Sequence, residues 1–473
     1  MSQTIVIDPV TRLEGHGKIT IQLDPQGEVA DAHFHVTQVR GFERFCEGRP
    51  FYEMPSLTAR ICGICPVSHL LASAKACEAI MSVRIPHTAA QLRRVLNLAQ
   101  MVQSHALSFF HLSSPDLLLG MEADPAVRNI FGVAAARPEL GRAGIRLRRF
   151  GQRVIELLGG KRIHTGWVIP GGVTEPLLSA NRDEILAMIP EAYENVKLAF
   201  AAYKQIASSF KAEIEVFANF PSMYLGLVNE DESIEFTDGA LRLIGAGGST
   251  IEDGITAARF PEVIGEAVEP YTYTKFVYYK PLGYPEGSYR VGPLARLNIV
   301  KRMGTPFADR ELAEFKQLAE GPVQSSFHYH HARLIEALYG IEKIEEILAD
   351  PRILDKHVRA TAGVNRNEGM GQIEAPRGTL HHHYKVDDDG KMTWASLVVA
   401  TGHNNNAMNK GVLQAAKAYV RDGKFTEGAL NRVEAVIRTF DPCLSCSTHA
   451  FGQMPLAMTI VSADGEVVDR VIR

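Results

Sequence analysis

Two short segments near opposite ends of the 473-residue chain each carry a pair of cysteines with the spacing Cys-x-x-Cys. Cys62 and Cys65 lie in Arg-Ile-Cys-Gly-Ile-Cys-Pro-Val-Ser-His, and Cys443 and Cys446 lie in Asp-Pro-Cys-Leu-Ser-Cys-Ser-Thr-His. Thiolates in such pairs bind zinc, iron–sulfur clusters or late first-row metals, and four of them can complete one metal centre. The two pairs therefore predict a metal site to which both ends of the chain contribute.

The separation of the two pairs bears on the kind of metal. Zinc modules usually place their pairs roughly a dozen to twenty residues apart, so that one small lobe folds around the ion. Here Cys62 and Cys443 are 381 residues apart. A metal that joins them would lie at the middle of the fold, which favours a buried redox or catalytic metal. A structural zinc and two unrelated pairs remain as alternatives.

Composition excludes several classes of protein. Hydrophobic residues make up 46% of the chain and charged residues 22%, which is typical of a globular protein with a sizeable core. The formal net charge of −4 gives no basic surface for nucleic acid. No targeting segment opens the chain and no apolar run reaches the ~18 residues of a membrane span, so we expect a cytoplasmic protein. Cys46 and Cys77 are expected to be small buried hydrophobic residues.

Hydrophobic periodicity predicts long helices around the cysteine pairs. Apolar residues recur at intervals of three and four from Thr88 until Pro115. Similar patterns predict helices over 140–158, 183–217 with an interruption at Pro190, 311–319, 332–349, 412–420 and 429–437. A β-hairpin is predicted over 18–23 and 29–36, and strands over 273–279 and 393–399. We therefore expect an α+β fold that is predominantly helical, with a large helical core and small peripheral β-sheets.

Two further motifs resemble binding sites, but we give each of them a different interpretation. The glycine-rich stretch 245–250 lacks the third glycine of the dinucleotide fingerprint and has no βαβ context, so nucleotide binding is not expected. His381, His382 and His383 are consecutive and point in different directions, so they do not all reach one ion. For these histidines we expect a structural role or support of a metal ligand.

Five motifs, in the same order along the chain, resemble those of the large subunit of nickel–iron hydrogenases. They are Arg12-Leu13-Glu14-Gly15-His16, Arg40-Gly41-Phe42-Glu43, the segment from Arg60 to His69, Glu374-Ala375-Pro376-Arg377-Gly378, and the segment from Asp441 to His449. The two cysteine motifs are most similar to those of cytoplasmic bidirectional, NAD-reducing enzymes. A related subunit of the quinone-reducing respiratory complex shares this fold but lacks the cysteine pairs, whose presence argues against it.

The resemblance implies the nickel–iron hydrogenase large-subunit fold and a nickel–iron centre. Cys62 and Cys443 then correspond to terminal nickel ligands. Cys65 and Cys446 correspond to thiolates that bridge nickel to an iron carrying carbon monoxide and cyanide. The residues that the resemblance places around these small ligands are Pro376, Arg377 and Thr401.

Other roles follow from the same resemblance. Glu14 corresponds to a proton-relay carboxylate, although a carboxylate that caps a loop is the alternative from the residue alone. Arg377 corresponds to a guanidinium above the open metal position, oriented by Asp116 and Asp441. His69 corresponds to a histidine beside the bridging thiolates. The residues that correspond to a separate magnesium site are Glu43, His449 and Leu397 through its carbonyl.

The activity implied is reversible heterolytic oxidation of dihydrogen to protons and electrons, with Cys443 as the first proton acceptor. After the four site cysteines only two remain, too few for a four-cysteine iron–sulfur cluster. A small iron–sulfur subunit is therefore expected as partner, and the NAD-linked subgroup adds diaphorase subunits that carry FMN and NAD. A related cytoplasmic hydrogenase with another electron acceptor, or a zinc-holding scaffold protein, are the alternatives.

The end of the chain resembles a removable extension. Residues 1–449 are expected to form a single catalytic domain, and 450–473 an extension that a maturation endopeptidase removes after chaperones have inserted the metals. Residues 458–462 and 466–472 predict a small hairpin. This hairpin is expected to keep the closing segment away from its buried position, so that His449 reaches Glu43 only after cleavage.

Overall fold

The computed structural model of the chain describes residues 3–421, 424–449, 457–461 and 467–472. The predicted fold class is confirmed, because helices build the core and the sheets are small. The helices are α1 (Phe42–Cys46), α2 (Met54–Thr58), α3 (Pro66–Met81), α4 (His87–Leu107), α5 (Ser114–Leu119), α6 (Ile130–Ala136), α7 (Pro138–Gly159), α8 (Ser179–Ala207), α9 (Lys211–Val216), α10 (Phe260–Val263), α11 (Pro293–Ile299), α12 (Pro306–Lys316), α13 (Tyr329–Ala349), α14 (Ala400–Tyr419), α15 (Glu427–Phe440) and α16 (Leu444–Ser447).

The strands form small sheets, most of them antiparallel. They are β1 (Thr4–Ile7), β2 (Gly17–Leu23), β3 (Val29–Val36), β4 (Val168–Ile169), β5 (Gly172–Val173), β6 (Met223–Val228), β7 (Ala240–Ile244), β8 (Thr250–Ile255), β9 (Ile264–Ala267), β10 (Phe276–Tyr279), β11 (Tyr289–Arg290), β12 (Glu368–Ala375), β13 (Gly378–Val386), β14 (Met392–Val398), β15 (Ala457–Val461) and β16 (Val467–Ile472). The largest sheet has four strands in the order β11-β6-β7-β8, and the two three-stranded sheets have the orders β1-β2-β3 and β12-β13-β14.

Helix α3 is the element that brings the first cysteine pair into the core. It is buried along almost its whole length and packs against strands β12 and β13. The approach is close because β12 carries glycines: a Cβ at Gly371 would lie 2.1 Å from the carbonyl oxygen of Ala72, and a Cβ at Gly369 2.2 Å from that of Ala76. Side chains at these two positions would therefore push the strand away from the helix.

A two-residue turn joins β12 to β13 and carries Arg377. Ala375 pairs with Gly378 across the hairpin, so that Pro376 and Arg377 form its tip. Gly378 has a φ of +136°, and a Cβ there would lie 2.3 Å from Cγ2 of Val291. The turn therefore packs closely against Val291 and Gly292, and this contact fixes the position of Arg377.

Several predicted helix boundaries were wrong: α14, predicted over 412–420, begins at Ala400, and two other errors involve proline. The first helix does not stop at Pro115: after α4 the chain makes a π-helical segment, Ser108–Ser113, and α5 follows with its proline in the first turn. Proline is tolerated there because that N–H has no partner within the helix. Helix α8 continues through the exposed Pro190 and ends at Ala207 instead.

The glycine-rich stretch is a turn between two strands. The N–H of Gly245 donates to the carbonyl of Ser249 at 2.8 Å, and this turn joins β7 to β8. Among the described residues, no helix combines the length and apolar character that crossing a membrane requires.

Candidate metal centre

The first cysteine pair lies on a tight loop at the start of α3. Cys62 is extended, and Cys65 is the residue that precedes the helix, with Pro66 in its first turn. The Sγ atom of Cys62 accepts hydrogen bonds from the N–H groups of Ile64 at 3.2 Å and Cys65 at 3.4 Å. The loop thus folds back on the sulfur and directs both thiols to one side.

The second pair is held against the N-terminal loop. Glu14 and Cys443 form an isolated parallel bridge, and the N–H of Leu444 donates to the carbonyl of Glu14 at 3.1 Å. Gly15 has a φ of +91°, and a Cβ there would lie 2.6 Å from the Cβ of Leu444. This close approach explains the glycine after Glu14 and places the carboxylate beside the second pair.

The four site cysteines meet in one buried cluster, as the sequence predicts. Their Sγ atoms all lie within 4.8 Å of one another, and each residue is at most 4% exposed. The contacts cross between the pairs: Cys62 to Cys443 at 3.5 Å and Cys65 to Cys446 at 3.6 Å. Because metal–sulfur bonds are about 2.3 Å long, one or two metal ions can span these separations.

The sulfurs lie within hydrogen-bonding distance of one another. Burial raises the pKa values of Cys443 and Cys446, whereas the hydrogen bond with Cys443, followed by those with its neighbours, lowers the pKa of Cys62. A cluster of this kind holds at least one thiolate and releases its remaining protons when a metal binds. The donor set therefore fits a soft or borderline metal centre.

A small cavity lies against this cluster. Its lining includes Cys65, Cys443 and Cys446 together with mostly apolar neighbours, which are Ala375, Pro376, Leu380, Val399 and Ala400. Arg377 and Thr401 add polar atoms to the same lining. The Nη1 atom of Arg377 is buried without a hydrogen-bond partner. An apolar cavity with one unpaired cationic donor fits small ligands that accept a hydrogen bond.

Asp441 holds Arg377 in this position, as expected. Nη2 of Arg377 donates to the carboxylate of Asp441 at 3.1 Å, and Nε donates to its backbone carbonyl. Burial alone would lower the pKa of Arg377, but Asp441 and the thiolates of the cluster raise it well above its usual value. A positive charge is therefore fixed beside the sulfurs.

Thr401 contacts the backbone of Cys443 through its hydroxyl. Its hydroxyl accepts a hydrogen bond from the N–H of Cys443 at 2.9 Å and lies 3.2 Å from the carbonyl oxygen of the same residue. Contact with an iron ligand stays a prediction for this residue. The two hydrogen bonds of this threonine fix the backbone of Cys443 in the cluster.

Asp116 departs from its expected place. Its carboxylate accepts hydrogen bonds from Arg12, from Arg438 at 2.9 Å and from Asn431 at 3.0 Å, rather than from Arg377. Burial favours the neutral carboxyl, but Arg438 and Arg12 lower the pKa of Asp116 below its usual range. Asp116 therefore ties the N-terminal loop that carries Glu14 to helix α15.

Replacing Asp116 by asparagine is expected to destabilise the fold. The amide removes the charge that balances the buried guanidinium of Arg438 and the partly exposed guanidinium of Arg12, and breaking a buried ion pair from one side costs about 3–5 kcal/mol. Denaturant unfolding measures the change. Glu47→Gln, which removes a partly exposed carboxylate that pairs with the exposed Arg44, is the control and should cost no more than about 1 kcal/mol. Equal stabilities of the two variants would contradict the role given to Asp116.

Glu14 and His69 both contact the second cysteine segment. A carboxylate oxygen of Glu14 accepts from the N–H of Ser445 at 3.0 Å, so the carboxylate also caps a loop. Nε2 of His69 lies 3.4 Å from Sγ of Cys446. Burial lowers the pKa of His69 to about 4, which keeps the imidazole neutral.

The predicted magnesium residues also come together. The carboxylate of Glu43 accepts from the N–H of Leu397 at 2.7 Å and lies 2.8 Å from Nδ1 of His449. Burial alone would raise the pKa of Glu43, but the interaction with His449 lowers it. Carboxylate and carbonyl oxygens suit a hard cation, which would have to replace the direct contact between Glu43 and His449.

The prediction that the C-terminal extension keeps His449 away from Glu43 until cleavage is wrong in this structure. The closing segment is already buried in the chain that continues beyond it: His449 is 3% exposed, and the carbonyl of Thr448 accepts from the N–H groups of Arg40 and Gly41. Strands β15 and β16 pair with each other as the hairpin prediction expects, whereas residues 462–466 between them lie outside the described residues. A hairpin can thus follow His449 without pulling it from Glu43.

Sequence reasoning missed several residues that shape the site. Arg12 lies in one of the five motifs, has a φ of +57° and reaches Asp116, yet only the neighbouring Glu14 was singled out. Nothing in the sequence around Arg438 indicates that its side chain pairs with Asp116. His382 could have been selected from the histidine run, because alternate strand residues face opposite sides of a sheet. It contacts His69 at 3.1 Å.

Buried thiols from two distant segments of the chain, which meet in a helical core with a fixed guanidinium beside them, define a metalloenzyme. Two family models match the chain, one described as HoxL-like over residues 4–39 and one as nickel-dependent hydrogenase over residues 40–128 and 249–449. The chain belongs to the nickel-dependent hydrogenase family. It is therefore an oxidoreductase that acts on dihydrogen.

Several relatives match over nearly their full length. The NAD-reducing hydrogenase HoxS subunit beta of Cupriavidus necator is 40% identical, with 100% of both chains covered. One chain of the F420-non-reducing hydrogenase vhc from Methanococcus voltae is 40% identical over 97% of this chain and 98% of its own length. A crystal structure of an NAD+-reducing [NiFe]-hydrogenase in the H2-reduced state superposes with a TM-score of 0.92 at 44% identity, covering 94% of this chain and 99% of the other.

Proposed function

We propose that this chain is the dihydrogen-splitting subunit of a cytoplasmic hydrogenase whose electrons pass through partner subunits to NAD. The observation that carries the proposal is the buried four-sulfur cluster, which both ends of the chain build beside Arg377 and Glu14. The similarity to an NAD-reducing relative along the whole chain supports the electron acceptor.

The four cysteines would hold nickel and iron, with Cys62 and Cys443 on nickel alone and Cys65 and Cys446 shared between the metals. When bound, this pair supplies the Lewis-acidic, redox-active centre for heterolytic cleavage of dihydrogen. Carbon monoxide and cyanide on iron would occupy the small cavity, where Pro376 and its apolar neighbours exclude water and Arg377 offers a hydrogen bond.

The residues of this chain then move the proton. The sulfur of Cys443 accepts it first, since this thiolate lies within the cluster and its segment is bridged to Glu14. The carboxylate of Glu14 takes the proton next and passes it outward, because Glu14 is partly exposed whereas Cys443 is buried. Arg377 remains charged throughout and stabilises negative charge on the sulfurs.

Electrons must leave through another subunit. Cys46 and Cys77, the cysteines outside the cluster, are buried separately and cannot hold a four-cysteine iron–sulfur cluster. A small iron–sulfur subunit would therefore dock on this chain, followed by diaphorase subunits with FMN and NAD. The test is dihydrogen-dependent NAD reduction by the purified complex, together with infrared bands of carbon monoxide and cyanide. Zinc in place of nickel and iron would overturn the proposal.

We also propose that magnesium binds at Glu43, His449 and the carbonyl of Leu397, and that residues 450–473 are removed once chaperones have inserted the metals. The buried contact of Glu43 with His449 supports the first proposal. For the second, cleavage after His449 would free a carboxylate next to this site, which adds a hard oxygen ligand for the cation.

Active enzyme is expected to end at His449. The reason is that the new terminal carboxylate completes the hard-ligand set that ties down the closing segment. Intact-mass measurement on metal-loaded protein checks the prediction, with protein from cells that lack the maturation endopeptidase as the control. A fully active, metal-loaded chain that still carries Arg473 would contradict it.

A further inference from the structure

A line of four buried side chains leads from the metal centre into the core. Nε2 of His69 lies 3.4 Å from Sγ of Cys446, and Nδ1 of His69 lies 3.1 Å from Nε2 of His382. Nδ1 of His382 lies 2.7 Å from the hydroxyl of Tyr384, which lies 2.9 Å from Oγ of Ser73. All four are at most 1% exposed. The histidines therefore have each other and Tyr384 as partners in place of bulk water.

The line forms because residues two apart on strand β13 and residues four apart on helix α3 face each other. His382 and Tyr384 are two residues apart on β13 and so face the same side of the sheet. His69 and Ser73 are four residues apart on α3 and so lie on one face of that helix. Since α3 packs against β13, the two pairs alternate along one path.

The neighbouring histidines show that this placement is specific to His382. The ring of His381 stacks on Phe260 with ring centres 4.3 Å apart, and its Nε2 lies 3.0 Å from the carbonyl oxygen of Ala257. Nε2 of His383 lies 2.6 Å from the carboxylate of Glu368. Both residues face away from the cysteines, so one member of the histidine run is left to reach His69.

The direction of the hydrogen bonds along this line depends on Cys446. A buried neutral imidazole has one N–H and one bare nitrogen, so each ring donates on one side and accepts on the other. A metal-bound thiolate at Cys446 accepts only. His69 must then carry its hydrogen on Nε2 and accept at Nδ1 from His382. This leaves His382 to accept from the hydroxyl of Tyr384, whose single hydrogen then goes to His382 instead of Ser73.

We propose that His382 and Tyr384 are positioning residues that hold His69 in the tautomer that donates a hydrogen bond to the bridging thiolate of Cys446. The inference rests on the proposed nickel–iron centre with its carbon monoxide and cyanide ligands. Such a hydrogen bond withdraws charge from the sulfur, and groups of this kind tune the metal through its ligand. The residues themselves touch neither metal nor substrate.

His382→Leu in the complete enzyme tests the proposal. Loss of the donor to Nδ1 frees His69 to change tautomer, so Cys446 becomes a stronger electron donor. We expect the carbon monoxide and cyanide infrared bands to shift to lower frequency and the midpoint potential of the centre to fall. His382→Gln, whose amide can still donate to His69, should restore both. His383→Leu, on the opposite side of the same strand, is the matched control and should change neither.

Unchanged infrared bands in metal-loaded His382→Leu would overturn the proposal. If that variant fails to bind metal, Tyr384→Phe decides, because it removes a single hydroxyl: a smaller shift in the same direction supports the proposal, and unchanged bands overturn it. Absence of these bands from the unaltered enzyme would overturn the proposed iron ligands and this inference together. Failure of the proposed iron ligands can therefore be distinguished from failure of the inference about His382 alone.

Discussion

Purified Cys65→Ser and Cys446→Ser proteins are expected to contain neither nickel nor iron in stoichiometric amounts and to show no hydrogenase activity. A serine hydroxyl is far less acidic than a thiol and is a harder donor, so it does not form the bridge that a thiolate provides. The Sγ atoms of these two residues are 3.6 Å apart, and the loss of one leaves three sulfurs for two metals. Elemental analysis of the purified protein measures the effect directly.

Cys77→Ser is the matched control for this experiment. Cys77 is buried on α3, the helix that Cys65 precedes, but it lies outside the cluster and donates to the carbonyl of Phe51. Serine can keep that hydrogen bond, so metal content should stay normal. Normal nickel and iron content in Cys65→Ser or Cys446→Ser would remove the basis for the bridging assignment. Equal loss in all three variants would indicate damage to the fold instead.

The cysteine cluster could be predicted from sequence because its signal is local. Each Cys-x-x-Cys pair occupies one turn, and the residue types alone state the metal chemistry. Partners across the fold have no such signal. Asp116 was paired with the wrong arginine because several arginines are available, and the sequence does not state that Arg438, 322 residues away, is the one that reaches it.

The missed strands have a similar physical explanation. Strand β6 is buried on both faces, so its residues Met223–Val228 show no polar alternation. Strand β8 is mostly exposed and carries Glu252 and Asp253, which are unfavourable residues for a strand. Both depend on their neighbours in the sheet rather than on their own sequence. Helices α7 and α13 were predicted to within three residues at each end because their apolar residues repeat over many turns.

Glu14 has two separable roles, as a cap and as a proton carrier. The carboxylate accepts from the N–H of Ser445, and its own carbonyl accepts from the N–H of Leu444, so it helps hold the segment that carries Cys443 and Cys446. A substitution that removes the side chain would disturb both roles. The informative change is therefore one that keeps the hydrogen bond to Ser445 and removes the acid–base chemistry.

Glu14→Gln meets this requirement and is expected to lower turnover about 10²–10⁴-fold while metal content stays normal. The amide oxygen can still accept from Ser445, but an amide neither takes up nor releases a proton at neutral pH. Dihydrogen oxidation and hydrogen–deuterium exchange should both fall, since each needs the proton to leave the buried sulfur. Glu14→Asp, which keeps a carboxylate on a shorter side chain, should recover part of the rate and serves as the control. Full turnover in metal-loaded Glu14→Gln would assign proton transfer to another residue and leave Glu14 with the cap alone.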